Sequence, residues 1–257
     1  MVFPPPPYVE GHQLLAGKRV LVTAAAGSGI GFQTAKRCLE EGAQVAISDR
    51  HERRLKESAE ALSQIAGTPV VAVVCDVTVE QQVQELFATV VSELGGLDVL
   101  VNNAGLGGTA NLRDMTDEEW SAVLDVTLNG TMRCTRAALH HMAGGAIVNN
   151  ASVIGWRAQK GQSHYAAAKA GVMALTRCAA LEAADQGIRI NAVAPSLAMH
   201  ENLAKVTSDE LLATLTEREA FGRAAQTWEI SNAIIFLASD YSSYMTGEVI
   251  SISSQHP

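Results

Sequence analysis

The sequence predicts an α/β fold, namely a doubly wound parallel sheet of about seven strands with helices on both faces. Short β-branched apolar runs alternate with longer helical segments, and the first of these runs ends in a glycine-rich turn. The length of 257 residues suits one large α/β domain. Alternating strands and helices build right-handed βαβ units around a parallel sheet, which places a binding site at the carboxyl ends of the strands.

The individual elements follow from apolar runs and helix-start signals. Seven segments are predicted as strands: Arg19–Thr23, Gln44–Ser48, Val70–Val74, Asp98–Val101, Ala146–Asn149, Ile188–Val193 and Glu248–Ile252. Helices are predicted at about 30–41, over the charged segment that contains Arg53, and at 163–184 and 227–238. Thr78 and Thr116 fit capping boxes that open two more helices, the second running to about Met142.

The amino terminus differs in composition from the rest of the chain. Residues 1–16 include Pro4–Pro7, which favour an extended polyproline-like arm that lies on the surface or is disordered. A recognition segment for a partner domain is the alternative. Residues 17–257 contain no linker and no repeat, so we expect them to form a single domain.

Charge and cysteine content exclude several functional classes. A formal net charge of -8 repels phosphate backbones and anionic headgroups, so neither nucleic acid nor a membrane surface is an expected partner. No signal peptide and no apolar stretch of membrane-spanning length is present, which predicts a cytoplasmic protein. The four cysteines are far apart and predict buried free thiols, with no metal site.

The first strand runs into a turn that is typical of dinucleotide binding in a Rossmann fold. Glycines between a strand and a helix let the backbone approach a pyrophosphate, and the helix start offers free N–H groups. A tight turn alone carries such glycines too, but here a strand precedes and a helix follows. The candidate cofactor-binding residues of this turn are Thr23, Gly27, Ser28, Gly29, Ile30 and Gly31.

Polar residues follow the next strands. Asp49 ends the second strand, where a carboxylate binds the ribose hydroxyls and repels a 2′-phosphate, which favours NAD over NADP. Arg50 favours the opposite cofactor preference, since it could pair with the 2′-phosphate of NADP. Asp49 and Arg50 could also be no more than a solvated turn without a binding role. Asp76, with Val77 beside it, is placed to meet the adenine amino group. The segment Asn103, Ala104 and Gly105 is expected both to brace the sheet and to form a cofactor wall.

A tyrosine and a lysine share one face of a predicted helix. Tyr165 and Lys169 are four residues apart, and Ser152 ends the fifth strand. A free phenol has a pKa near 10, and a nearby ammonium favours the phenolate and lowers that pKa. Such a pair on an arbitrary helix is usually a solvated face, so the pair by itself is a weak signal.

Taken together, the ordered motifs resemble the short-chain dehydrogenase/reductase family over about residues 17–254. They are the Gly27–Gly31 turn, Asn102–Gly105, Ser152, Tyr165, Lys169 and Asn191–Pro195, with Phe236–Asp240 and Thr246-Gly247 near the end. The resemblance implies that Tyr165 exchanges a proton with a ketone or alcohol and that Lys169 lowers its pKa and holds the nicotinamide ribose. Ser152 would orient the substrate oxygen. It also implies an NAD(P) cofactor and a homotetramer or homodimer.

The chain departs from the family pattern at four places. The phosphate turn is one residue longer, with Ala24 in place of the first glycine. Thr127 takes the position of the catalytic asparagine, and Asn129 lies too far round the helix to replace it. We expect the backbone carbonyl of Thr127 to keep the proton relay working. Ser196 replaces a glycine, and His200 replaces a threonine that binds the carboxamide. The candidate contacts on this side are Pro195, Ser196 and Ala198.

The substrate is predicted from the segment between Leu197 and Phe221. Its apolar residues indicate either core packing or a hydrophobic lid: Met199, Leu203, Leu211, Leu212, Leu215 and Phe221. With Trp156, Arg157 and Lys160 nearby, a lid suits a bulky hydrophobic small molecule that bears an acid or coenzyme A group. The sequence also resembles bacterial reductases of steroid-ring breakdown that act on a hydroxy-indanone coenzyme A intermediate. A 3-oxoacyl thioester reductase and a catalytically silent dinucleotide-binding regulator are the alternatives.

Overall fold

The computed structural model describes residues 2–199 and 209–255. Its centre is a parallel sheet of seven strands in the order β3-β2-β1-β4-β5-β6-β9. The strands of this sheet are β1 (Arg19–Thr23), β2 (Gln44–Asp49), β3 (Val71–Val74), β4 (Val99–Asn102), β5 (Gly145–Asn150), β6 (Ile188–Pro195) and β9 (Val249–Ile252). Strand order reverses at β1, which pairs with β2 on one side and β4 on the other, so a crevice opens there at the carboxyl ends.

Helices cover both faces of the sheet. They are α1 (Ile30–Glu40), α2 (Glu52–Ala66), α3 (Glu80–Leu94), α4 (Asp117–Leu124), α5 (Gly130–His141), α6 (Ser163–Ala183), α7 (Asp209–Glu217) and α8 (Thr227–Ala238). Val20 and Val22 pack with α1, α2 and α8, whereas Leu21 between them packs with α3, α5 and α6. A strand that alternates between two apolar layers is buried on both sides, as parallel sheets require. The predicted fold class is therefore confirmed.

The helix-start predictions had mixed outcomes. Thr116 does form the predicted capping box with Glu119. The capping box at Thr78 is wrong, because its hydroxyl donates to Asp76 Oδ1 at 2.7 Å and Val79 caps α3 instead. The helix starts at Glu80, so Thr78 lies one residue before the N-cap position, and its hydroxyl donates to a carboxylate two residues away.

Two features of the chain's second half were not predicted. The helix expected from Thr116 to Met142 is interrupted by a π-helical turn at Asp125–Asn129, which joins α4 to α5. Two short parallel strands, β7 (Ala198–Met199) and β8 (Ala225–Gln226), connect the two ends of the segment after β6. Single π-helical turns often occur at functional sites.

The cysteine prediction holds for three residues and fails for one. Cys38, Cys75 and Cys134 are buried free thiols, but Cys178 on α6 is exposed. Over the described ranges, no helix is long and apolar enough to cross a membrane.

The amino-terminal arm is anchored on α1. The Tyr8 hydroxyl donates to Glu40 at 2.5 Å, and its ring lies edge-on to Trp228 with centroids 5.5 Å apart. Glu41, 1% exposed, accepts the backbone N–H groups of His12 and Leu14 and pairs with Arg37 at 2.6 Å. The chain from residue 12 onward is thereby tied to the Rossmann core.

Candidate active site

The glycine-rich turn leaves β1 in a strained conformation. Ala24 has φ +49°, a left-handed conformation that glycine adopts without cost and alanine does not. At the far end of the turn, a Cβ added to Gly31 would lie 2.4 Å from the Ala24 carbonyl oxygen and 2.5 Å from Asn103 Nδ2. Only glycine at position 31 lets α1 pack so close to the end of β1.

The start of α1 fits a dinucleotide pyrophosphate. Gly29 caps the helix without a side-chain hydrogen bond, which leaves the first amides of α1 uncapped, and no atom of residues 2–199 or 209–255 lies within 4 Å of a Cβ added there. The preceding amides are already used, since Gly27 N–H donates to Ser58 at 3.0 Å and Ala26 N–H to Asp49 at 3.3 Å. Uncapped N–H groups beside open space can hold an anion, and Ser28, Gly29 and Ile30 are the residues that could supply them here.

The acidic residues after β2 and β3 stand beside this turn. Asp49 accepts the N–H of Ala26 through Oδ2 and that of His51 through Oδ1, so its carboxylate is fixed at the end of β2. Arg50 next to it is exposed. Asp76 accepts both the N–H and the hydroxyl of Thr78, and these hydrogen bonds hold the pKa of Asp76 below its usual range despite partial burial. Val77 is 6% exposed.

The segment after β4 braces neighbouring strands. The Thr23 hydroxyl accepts the N–H groups of Asn103 and Ala104 at 3.0 and 3.2 Å. Asn103 Nδ2 donates to the carbonyls of Thr23 and Ala24, and its Oδ1 accepts from Asn150 at 2.9 Å. Asn103 therefore links β1 to β5, in the bracing role expected from the sequence.

Ser152 and Tyr165 meet at the end of β5. Ser152 is 8% exposed, and its oxygen accepts the N–H of Ile154 at 3.2 Å, which starts a short helical turn at Val153–Gly155. Tyr165 lies in the first turn of α6. Burial raises the pKa of Tyr165, and a hydrogen bond with Ser152 acts in the opposite direction.

Lys169 stands one helical turn further on. It is 3% exposed, its Nζ donates to the Asn150 carbonyl at 2.5 Å, and Nζ lies 5.6 Å from the centre of the Tyr165 ring. Burial lowers the pKa of Lys169 to about 8. The expectation that this ammonium lowers the pKa of Tyr165 is not met in the structure, where burial dominates and the pKa is raised. The Lys169 ammonium donates to the Asn150 carbonyl and lies beside the Tyr165 ring.

Thr127 lies in the π-helical turn, fully buried beside the same group of residues. Its hydroxyl accepts the N–H of Leu106 at 3.0 Å, and its carbonyl accepts the Thr131 hydroxyl at 2.8 Å. A Cβ added to Gly105 would lie 3.5 Å from Lys169 Nζ and 3.8 Å from Thr127 Oγ1, so Gly105 packs between them. Asn129 points elsewhere, to Asp125 at 3.0 Å.

The side chains expected to touch the nicotinamide and substrate come from two segments, one after β5 and one after β6. Pro195 and Ala198 are buried, and the N–H of Ser196 donates to the Ile252 carbonyl at 3.1 Å. Leu212 and Leu215 on α7 are half-buried, whereas Phe221 is 51% exposed and meets Phe3 of the arm. Trp156 and Lys160 are exposed and Arg157 is half-buried. His200 and Leu203 lie outside the described residues, as does the side chain of Leu211.

Two residues of the site were missed in the sequence. Asn150 receives Lys169 through its carbonyl and joins Asn103 through its side chain. Ser58 on α2 accepts an amide of the glycine-rich turn. Asn150 could have been found, because it ends β5 two residues before Ser152, but Ser58 is one of many polar helix residues and carries no local signal.

Comparisons with known proteins agree with this geometry. A family model described as Enoyl-(Acyl carrier protein) reductase matches residues 24–254. The chain is 62% identical, over 98% of both sequences, to the "(5R,7aS)-5-hydroxy-7a-methyl-1-oxo-2,3,5,6,7,7a-hexahydro-1H-indene-carboxyl-CoA reductase" of Mycobacterium tuberculosis. It is 41% identical to a cis-4-hydroxycyclohexanecarboxylate dehydrogenase of Sinomonas cyclohexanicum, over 91% of this chain and 95% of that protein.

A solved structure shares the whole architecture. The crystal structure of a short chain dehydrogenase from Mycobacterium smegmatis superposes with a TM-score of 0.88 at 58% identity and covers 98% of both chains. Proteins of this family use NAD(P). With its glycine-rich turn, its serine, tyrosine and lysine at the sheet edge, and these relatives, the chain belongs to the short-chain dehydrogenase/reductase family of oxidoreductases.

Proposed function

We propose that the chain interconverts a secondary alcohol and a ketone with NAD as its cofactor, using Tyr165 as the acid and base. The observation that carries the proposal is the cluster of the buried Ser152 and Lys169 with the half-buried Tyr165, at the same sheet edge as the uncapped start of α1. A nicotinamide cofactor supplies hydride chemistry, and the protein supplies position and proton transfer.

Each residue of the cluster has a separate task. Tyr165 donates a proton to the substrate oxygen in reduction and accepts it in oxidation. Ser152, which hydrogen-bonds with Tyr165, orients that oxygen. Lys169 holds the cofactor ribose and stays in place through the Asn150 carbonyl. Thr127 fixes the loop after β4 through Leu106, and its carbonyl, which already accepts the Thr131 hydroxyl, would supply the remaining part of a proton relay.

The preference for NAD is supported by Asp49. Its carboxylate is held by two backbone amides at the end of β2, so it cannot swing away from a ribose placed beside the turn. A fixed anion accepts bonds from the two ribose hydroxyls and repels a 2′-phosphate. The other proposed cofactor contacts are Thr23, Gly27 to Gly31, Asp76, Val77, Asn103 to Gly105, Pro195, Ser196 and Ala198.

The proposed substrate is a bulky bicyclic ketone or alcohol that carries a coenzyme A thioester. The relative that is 62% identical over nearly the whole chain is named for such a compound. Half-buried leucines on α7 and the cations Arg157 and Lys160 supply apolar and positive surface near the site. A linear 3-oxoacyl thioester would use less of the apolar surface.

The experiment compares cofactors and substrates in one assay that follows the reduced nicotinamide absorbance. The purified chain is mixed with NADH or NADPH and with a bicyclic ketone coenzyme A thioester or a linear 3-oxoacyl coenzyme A of similar length. We expect turnover of the bicyclic compound with NADH, and a shift toward NADPH in Asp49→Ala.

Two other outcomes would contradict parts of the proposal. Equal turnover of the linear thioester would rule out the bicyclic assignment and leave the reaction type intact. Tight NADH binding without turnover of any ketone in a broad panel would rule out the enzyme and favour a dinucleotide-binding regulator.

A further inference from the structure

Near the carboxyl terminus, the side chain of Gln255 bridges two groups of opposite charge. Its Oε1 accepts a hydrogen bond from Arg157 Nη1, and its Nε2 donates to Glu219 Oε1 at 2.7 Å. A carboxamide has one accepting end and one donating end, so the cation and the anion together fix its orientation. Each of these hydrogen bonds has a charged partner, which makes it stronger than a neutral one.

Arg157 belongs to the wall of the crevice between Ser152 and Tyr165. Its Nε and Nη2 atoms are buried and have no hydrogen-bond partner among residues 2–199 and 209–255. Within the same ranges, Gln255 supplies the acceptor that the guanidinium does have. Loss of this acceptor would leave a part-buried cation without a partner, which is costly enough to displace the side chain.

Glu219 belongs to the opposite wall, which follows β6. It is 4% exposed and accepts the Ser254 hydroxyl at 2.7 Å as well as the Gln255 amide. It also accepts the N–H of Leu197 at 3.4 Å, directly after the proposed nicotinamide contact Ser196. The tail is joined to this wall a second time, because Ala220 N–H donates to the Ser254 carbonyl at 3.0 Å.

We propose that Gln255 is a positioning residue that ties the two walls of the substrate crevice together and so sets the affinity for a bulky substrate. The proposal rests on the proposed function, because it assigns the crevice to substrate. Gln255 acts through Arg157 and Glu219 and takes no part in proton or hydride transfer. Three residues before Gln255, the backbone carbonyl of Ile252 accepts the N–H of Ser196. This hydrogen bond extends the link between the walls to the proposed nicotinamide contact.

The test uses two substitutions of the full-length protein. Gln255→Leu keeps the size of the side chain and removes both hydrogen bonds. We expect KM for the bicyclic thioester to rise about tenfold or more, as loss of a hydrogen bond to a charged group implies, with kcat changed less than about threefold. Ser251→Ala, at an exposed position in β9 four residues earlier, is the control and should leave both constants unchanged.

Gln255→Glu adds a signature that a purely structural role would not give. The new carboxylate cannot donate to Glu219, and the two like charges repel at neutral pH. Acidification protonates one of the pair and restores a donor, so KM should fall as pH is lowered, whereas KM in Gln255→Leu should not. The double variant E219Q/Q255E reverses donor and acceptor and should recover much of the lost affinity.

Hydrogen exchange gives a readout that does not need turnover. In Gln255→Leu without cofactor, amides of residues 153–162 and 212–222 should exchange faster, while those of α1 should not change. Unaltered exchange in both walls, or unaltered KM in both Gln255 variants, would overturn the proposal. If the wild-type chain turned over no substrate, exchange alone would still decide the positioning role.

Discussion

The two sides of the crevice are built in different ways. The dinucleotide side is made of backbone: a left-handed Ala24, a glycine at position 31 that touches the end of β1, and uncapped amides of α1. The substrate side is made of side-chain hydrogen bonds between residues far apart in sequence, such as Arg157 with Gln255 and Glu219 with Ser254. Backbone geometry accepts few substitutions, whereas side-chain links can be exchanged in matched pairs.

This difference suggests a division of labour. The dinucleotide side binds a cofactor that all family members share, so it can be built into the fold. The substrate side must fit one compound, and a few exchangeable contacts allow it to change while the sheet stays the same. Four substitutions test the comparison.

The largest effect is expected where the two sides meet. Tyr165→Phe removes the proton donor and keeps the ring that packs beside Lys169. Proton transfer by a positioned side chain contributes about 10²- to 10⁴-fold, so kcat should fall by that factor. NADH affinity, measured by fluorescence titration, should stay within about threefold. Tyr241→Phe, at a residue 75% exposed, is the control. A loss of NADH binding equal to the loss of kcat would mean that Tyr165 belongs to the dinucleotide side.

The next largest effect concerns the close backbone packing at Gly31 on the dinucleotide side. Gly31→Ala would place a methyl group 2.4 Å from the Ala24 carbonyl and force α1 away from β1. Overpacking of this kind costs about 1–3 kcal/mol of unfolding free energy and should lower Tm in thermal unfolding. Gly29→Ala, in open space on the same turn, should leave Tm nearly unchanged and weaken only NADH binding. Equal stability of the two variants would remove the packing argument.

The same contrast explains what could be predicted from the sequence. The strands, the glycine-rich turn and the spacing of Tyr165 and Lys169 are local patterns. The structure has all seven predicted strands, with bounds that differ from the predicted ones by at most two residues, and it places Tyr165 and Lys169 on one helix. The predicted cap of α3 is wrong because the helix starts one residue later than the motif implies, after Val79, and the Thr78 hydroxyl donates to Asp76.

The contacts that the sequence did not reveal are long-range. Nothing near Thr127 marks the π-helical turn that directs its hydroxyl to Leu106. Gln255, Glu219 and Arg157 have no common spacing, so their meeting is visible only once the sheet brings the three segments together.

A stability change of intermediate size tests the energetic cost of burying the charge of Lys169. Burial lowers the pKa of Lys169 from 10.5 to about 8, so below pH 8 the buried charge lowers the unfolding free energy of the protein. Without cofactor, Lys169→Met should therefore raise Tm at pH 7 by about 2–4 °C while it abolishes turnover.

The sign of the pH dependence follows from proton binding. Between pH 8 and 10.5 the unfolded chain binds more protons at this lysine than the folded one, so wild-type stability gains on the variant as pH rises. The Tm difference should shrink over that interval. A constant difference would mean that the charge of Lys169 is not the cause.

The smallest effect concerns Ala24. Its left-handed φ of +49° costs about 1–2 kcal/mol, and glycine would relieve this cost but lose about 0.5–1 kcal/mol through chain entropy. Ala24→Gly should therefore stabilise the protein by about 0.5 kcal/mol in urea unfolding. Ala26→Gly, where φ is not positive, should have the opposite sign. A loss of stability in both variants would show that Ala24 is not strained.

The contacts of the amino-terminal arm determine when during synthesis the arm can dock. Phe3 packs on Phe221, and Tyr8 packs on Trp228, so residues that are synthesised earlier bind to residues that are synthesised about 220 positions later. At about 5–20 residues per second, the arm waits on the order of ten to forty seconds for these partners to be synthesised. Arm docking is therefore a late event, and a nascent chain stopped before residue 221 carries Phe3 and Tyr8 without the aromatic surface on which they finally rest.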